Sequence, residues 1–252
     1  MAAASNYPDL KNRRVLITGA SSGIGLTTAR AFLEQGSLVM IHYHSQEAPA
    51  RELAGLFPGR SFLVAADLST EDGCRDICRR ALEAMGGLDI LVHSAGIWNA
   101  GNIREITAAV LETMFRTNTF SAFYLAREAC RYMTSGNFIY IGSTAGQRGE
   151  PYHSHYAASK GAMQSMVYSL AQELAPSIRV NLVSPGWVRT PMSTETFKLK
   201  ESAIVSAIPL RRVAESEDVA AAILFLASDV SRHLTGVDIC CSGGALLPMP
   251  RE

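Results

Sequence analysis

The sequence predicts an α/β fold, a doubly wound parallel sheet of about seven strands with helices on both faces. Short β-rich apolar runs recur along the chain. Several of them (Val-Leu-Ile-Thr, Leu-Val-Met-Ile, Asp-Ile-Leu-Val-His) are apolar without alternation, the pattern of strands covered on both sides. Longer stretches at helical period separate them, which implies right-handed βαβ crossovers. The 252 residues are 48% hydrophobic and 18% charged, a globular composition. A chain of that size buries roughly 70–75% of its unfolded surface and needs neither disulfides nor a metal to hold a core. With no linker, repeat or low-complexity tract, one domain over 1–252 is expected.

In chain order, the first strand, Arg14–Thr18, ends at a glycine cluster and leads into a helix over 24–35. Strands at Leu38–Tyr43 and Ser61–Ala65 flank a helix over 47–56, and a helix over 70–85 precedes the strand Asp89–His93. A long helix over 107–134, the strand Asn137–Gly142, a helix over 155–174 and the strand Ile178–Val183 follow. Trp187–Ala207 is too long for a simple βα turn and is a candidate substrate lid. A helix over 217–228 and the strand Val237–Cys241 complete the pattern. The tail Leu247–Glu252, with Pro248 and Pro250, cannot continue a helix and either frays or packs at a subunit contact.

Twenty-three Lys and Arg balance 23 Asp and Glu, so the basic excess of a phosphate-neutralising nucleic-acid binder is missing. The apolar run through Ala220–Ala227 falls far short of the roughly 20 residues that cross a bilayer. Met1–Asn12 carries neither a basic nor an apolar leader region. Cys74 and Cys78 lie one helical turn apart, but no Cys or His pair at zinc spacing accompanies them. Five free thiols, no metal and a reduced cytoplasm are expected.

Thr18-Gly19-Ala20-Ser21-Ser22-Gly23-Ile24-Gly25 sits where the first strand becomes the first helix. Gly19 permits a tight turn, Gly23 lets backbone approach a pyrophosphate, and Gly25 lets helix and strand lie close. Unpaired N–H groups at the helix start, Ser21, Ser22 and Ile24 among those near them, then face the phosphates. Downstream, Tyr156 and Lys160 share one face of a helix at i, i+4. A nearby ammonium favours phenolate and would bring the tyrosine toward working pH. Ser143, at a strand's C-terminal end where ligands of such sheets bind, can donate to a substrate oxygen.

These motifs occur in order with Asp67-Leu68, His93-Ser94-Ala95-Gly96, Asn118, Pro185-Gly186 with Thr190, and the ending Leu224–Gly244. Together they resemble the short-chain dehydrogenase/reductase family over nearly the whole length. The resemblance implies a Rossmann-type fold and hydride transfer between a nicotinamide coenzyme and a carbonyl or secondary alcohol. It implies a tetrad of Asn118, Ser143, Tyr156 and Lys160, with Tyr156 and Lys160 also at the nicotinamide ribose. It implies coenzyme contacts from Asp67 and Leu68, from Ser94, Ala95 and Gly96, and from Pro185, Gly186, Val188 and Thr190. His93 takes a place where the family usually has Asn, and a sheet-tying role is expected of it.

At the end of the second strand stand Tyr43, His44 and Ser45, with no acid to hold ribose hydroxyls and repel a 2′-phosphate. NADP(H) is therefore expected over NAD(H), although Ser22 stands where phosphate-binding relatives often carry Arg or Lys. Ile97, Trp98 and Asn99, the segment Gln147–His155 and the 187–207 lid should select substrate. Trp98, Tyr152, Trp187, Met192 and Phe197 are candidates for a mostly apolar pocket. Substrates of 3-oxoacyl-carrier-protein, ketone or sugar reductases all remain open. Relatives are mostly homotetramers built through the two long helices, here 107–134 and 155–174, and the C-terminal strand, so a homotetramer or homodimer is expected. A nucleotide-sensing or scaffold protein of the same fold is the competing reading.

Overall fold

Alternate residues of a strand point to opposite faces, and here both faces are apolar. Leu16, Met40 and Leu91 enter one core, while Val15, Ile17, Val39 and Ile41 enter the other. Such strands cannot leave a side to water, so helices cover both. The computed structural model describes residues 6–247, and the tail beyond 247 lies outside them. Its strands are β1 (Arg14–Thr18), β2 (Leu38–Tyr43), β3 (Ser61–Ala65), β4 (Ile90–His93), β5 (Gly136–Ile141), β6 (Ile178–Pro185) and β7 (Asp238–Cys241). They form one seven-stranded sheet, order β3-β2-β1-β4-β5-β6-β7, with every pair parallel.

The helices are α1 (Gly23–Glu34), α2 (Glu47–Leu56), α3 (Glu71–Met85), α4 (Ala108–Phe115), α5 (Ser121–Ala129), α6 (Thr144–Arg148), α7 (Ser154–Glu173), α8 (Thr194–Ser206) and α9 (Ser216–Ala227). Buried residues of α3, α5 and α7 fill one core; those of α1, α2 and α9 fill the other. Local chemistry sets α3's bounds. Thr70 Oγ1 accepts the Gly73 N–H at 3.1 Å, Glu71 and Asp72 occupy the positive N-terminal turn, and Gly86 closes the helix at φ 71°.

The long helix expected over 107–134 is divided. A π-helical turn, Arg116–Phe120, separates α4 from α5, and the helix ends at Ala129 in a tight turn, Tyr132 N–H to Ala129 C=O at 2.9 Å. Arg14 joins β1 to β4 by a two-pronged pair with Asp89, Nε–Oδ2 2.9 Å and Nη2–Oδ1 2.6 Å. Because β1 lies between β2 and β4, the crossovers depart in opposite directions there. The sheet's C-terminal edge opens a crevice at that point.

Candidate active site

A cavity of about 750 Å³ occupies this crevice. Its floor is the turn between β1 and α1. Gly19 has φ +64°, and a Cβ there would stand 2.8 Å from the Ala95 Cα, so this turn and the loop after β4 touch. A Cβ on Gly25 would overlap the Gly19 carbonyl oxygen. Thr18 Oγ1 accepts the N–H groups of Ser94 and Ala95, both at 3.1 Å. Ser22 caps α1 without a side-chain bond, leaving the helix-start N–H groups for an anion. Ser21, Ser22, Gly23, Ile24 and Gly25 all line the cavity. One end is walled by His44, Ser45, Asp67 and Leu68, the other by Ser94, Ala95, Gly96, Pro185, Gly186, Val188 and Thr190. A bare-backbone cradle at a helix start, closed by loops no Cβ could enter, suits a dinucleotide.

Ser143 and Tyr156 face the same cavity beyond Gly96. Ser143 caps α6, its Oγ accepting the Ala145 N–H at 3.1 Å, and its hydroxyl hydrogen-bonds Tyr156. Lys160, one turn along α7, is buried and donates to the Ile141 carbonyl at 2.7 Å. Burial lowers Lys160 to about 8. Asn118 lies inside the π turn, fully buried behind Gly96 rather than on the cavity wall. Its Oδ1 accepts the Ile97 N–H at 2.8 Å, and its Nδ2 donates to the Ile97 carbonyl at 3.0 Å and Ser159 Oγ at 3.1 Å. A polar residue that pairs so poorly with regular helix sits where the helix is irregular.

A family model described as enoyl-(acyl carrier protein) reductase matches residues 19–245. A structure from Brucella melitensis described as short-chain dehydrogenase/reductase SDR:glucose/ribitol dehydrogenase superposes with TM-score 0.92 at 32% identity, covering 97% of this chain and 100% of that one. The chain belongs to the short-chain dehydrogenase/reductase family. Acetoacetyl-CoA reductase of Allochromatium vinosum is 34% identical over 243 residues, 93% of this chain and 99% of that protein. A short chain dehydrogenase from Burkholderia cenocepacia J2315, solved in complex with NADP, has TM-score 0.88 at 30% identity, covering 94% of this chain and 99% of that one. This short-chain dehydrogenase/reductase is thus an oxidoreductase of a family that binds nicotinamide coenzymes.

Several expectations need correction. Tyr43 does not line this enzyme's cavity. Its hydroxyl turns to Glu47 and its ring packs on the core beneath α1 and α2; His42 lines the cavity instead. The Tyr156 phenol is pushed up, to about 12, not down: burial of the hydroxyl raises it, Ser143's hydrogen bond lowers it, and the Glu150 carboxylate raises it further. Of the lid, Trp187, Val188 and 190–193 line the cavity, while α8 does not. Phe197 is buried with Ile208 and Val213 in a small separate core, and Tyr152 is 69% exposed. Asn99 turns away to His155, Oδ1–Nε2 3.3 Å.

Glu150 lies in the segment 147–155 expected to select substrate, without a role of its own in that expectation, and it lines the cavity. Its Oε2 accepts from the Trp98 indole at 3.3 Å, joining the loops after β4 and α6. Trp98 stacks on His153 with ring centres 4.5 Å apart and meets Trp187 edge-on at 5.9 Å. Nothing in the linear sequence pairs residues 98 and 150.

His93 does tie the sheet. Thr18 Oγ1, already accepting two N–H groups, donates to His93 Nδ1 at 2.9 Å; His93 Nε2 donates to Ser121 Oγ at 3.2 Å, which donates to the Thr117 carbonyl at 2.6 Å. Burial holds this imidazole neutral, lowering it from 6.5 to about 3; burial likewise lowers His42 to about 4. Both folded values lie below the unfolded one, so stability is full above pH 6.5 and falls as pH drops toward 4, where the unfolded chain binds protons the folded chain refuses. The His42 share is about 3 kcal/mol. Urea midpoints should fall from pH 7 to 4.5, and His93→Asn should flatten that slope; an unchanged slope would contradict the neutral, buried His93.

Proposed function

We propose that this enzyme reduces a carbonyl to a secondary alcohol, with Tyr156 donating the proton and NADPH preferred over NADH. The observation that carries the reading is the hydrogen-bonded Ser143–Tyr156 pair sharing one cavity with the glycine cradle. The coenzyme supplies the hydride when bound. Tyr156, held protonated by burial, stands as an acid beside the oxygen that gains charge, and Ser143 donates to the same oxygen. Lys160, which lines the cavity, would hold ribose hydroxyls, and Asn118 supports the loop at Ile97 over which a substrate would lie. Purified protein should consume NADPH against at least one member of a panel of ketones, 3-oxoacyl thioesters and sugars. Failure with every carbonyl, despite coenzyme binding, would favour the nucleotide-sensing alternative.

His44 and Ser45, exposed at the adenosine rim, support the coenzyme preference, since neither repels a 2′-phosphate. An acid at His44 should raise the KM for NADPH about tenfold or more while leaving NADH within a few-fold. Parallel loss of both coenzymes would remove the argument.

We further propose self-association through α4, the π turn and α5, to a homotetramer or a homodimer. On α7, Ala157 and Met166 are buried, Met166 within the core beneath the sheet. Leu111, Phe120 and Phe123 are exposed instead, the two phenylalanines at 41% and 48%. No helix among the described residues is long and apolar enough to cross a membrane, and all five cysteines are free, which suits the reduced cytoplasm.

A further inference from the structure

His42 lies outside the catalytic group, yet its side chain bridges two separate walls of the nucleotide end. It is the penultimate residue of β2 and 2% exposed. Its Nδ1 is 3.0 Å from the Gly19 amide nitrogen, and its Nε2 is 3.1 Å from the Ala66 carbonyl oxygen. The Gly19 N–H only donates and the Ala66 carbonyl only accepts, so these partners assign the Nε2–H tautomer. The backbone of the same residue adds a third tie, the Ala20 N–H to its carbonyl at 2.8 Å. Ala66 immediately precedes Asp67 and Leu68 on the adenosine wall, and Gly19 opens the phosphate turn.

We propose that His42 is a positioning residue for the coenzyme: its imidazole fixes the Gly19 peptide and the β3 exit in the spacing that the dinucleotide requires. The physical reason is that Gly19, a glycine at φ +64°, has a wide conformational choice. An N–H captured by a buried ring removes that choice before the ligand arrives, so binding does not bear the ordering cost. The effect belongs to the shared part of the coenzyme. It should therefore fall equally on NADPH and NADH, in contrast to a change at His44, which touches only the 2′-phosphate end.

The inference rests on the coenzyme-binding reading, and the test separates the two. Dissociation constants for NADPH and NADH are measured directly, by nicotinamide fluorescence, on wild type, His42→Leu, His42→Asn and His42→Gln. The Asn Oδ1 falls near the place of Nδ1 and can still accept from Gly19; the Gln amide reaches toward Ala66 but leaves Gly19 unpaired. His42→Leu and His42→Gln should weaken both coenzymes about tenfold or more, the loss in affinity exceeding any fall in kcat at saturating coenzyme, and His42→Asn should recover most of the loss. If His42→Leu fails to fold, the Asn and Gln variants carry the comparison. Unchanged affinity in His42→Gln, a loss confined to NADPH, or Asn no better than Gln overturns the assignment. Wild type that binds neither coenzyme overturns both this inference and the reading beneath it.

Discussion

Tyr156→Phe should lower kcat by on the order of 10²–10⁴-fold while leaving the coenzyme dissociation constant within a few-fold of wild type. The substitution keeps the ring in its half-buried place on α7 and deletes only the hydroxyl that hydrogen-bonds Ser143. Reduction of a carbonyl needs a proton as hydride arrives, and no other described acid on that wall is so placed. Lys160 spends its nearest donor bond on the Ile141 carbonyl, and Glu150 is held by Trp98. Stopped-flow binding alongside steady-state turnover distinguishes loss of the acid from loss of the site. Turnover near the wild-type rate would show that another group delivers the proton.

A methyl group at residue 25 should cost nearly as much, by a different route. The Cβ of Gly25→Ala would overlap the Gly19 carbonyl oxygen, which is backbone and cannot swing aside. Either α1 moves off the turn or the turn opens, and both spoil the alignment of N–H groups toward a phosphate. We expect coenzyme affinity to fall at least about 100-fold, with a stability loss of several kcal/mol. Gly55→Ala is the control. Gly55 lies within α2 with nothing within 4 Å of the added Cβ, so that change should stabilise by about 0.5–1 kcal/mol. Equal, small effects at the two glycines would refute the close approach of helix and turn.

Much of this was legible in the residues because it repeats at short range. Unalternating runs such as Val-Leu-Ile-Thr name a strand buried on two faces, and Gly19, Gly23 and Gly25 mark a turn by their lack of side chains. Tyr156 and Lys160 declare a shared helix face by spacing alone. What stayed hidden depends on long-range contact. Whether Tyr43 or His42 faces the crevice is a matter of strand phase, and one residue of offset reverses it. The raised Tyr156 phenol reflects burial and a carboxylate six residues upstream in a separate loop. The link from Trp98 to Glu150 spans 52 positions. The division of the long helix at Asn118 was signalled only by a residue poorly suited to a helix interior, within the polar run 116–119.

That division makes the segment intolerant of a change in length. A π turn holds one residue more than an α turn, and each residue turns a helix through about 100°. Deleting Thr117 or Thr119 would therefore restore continuous helix, a local gain in regularity. It would also rotate one side of the break against the other, swinging Asn118 away from the Ile97 loop or turning Phe120 and Phe123 from the surface toward the sheet. A one-residue deletion here would thus exchange the Asn118 hold on the Ile97 loop for a more regular helix.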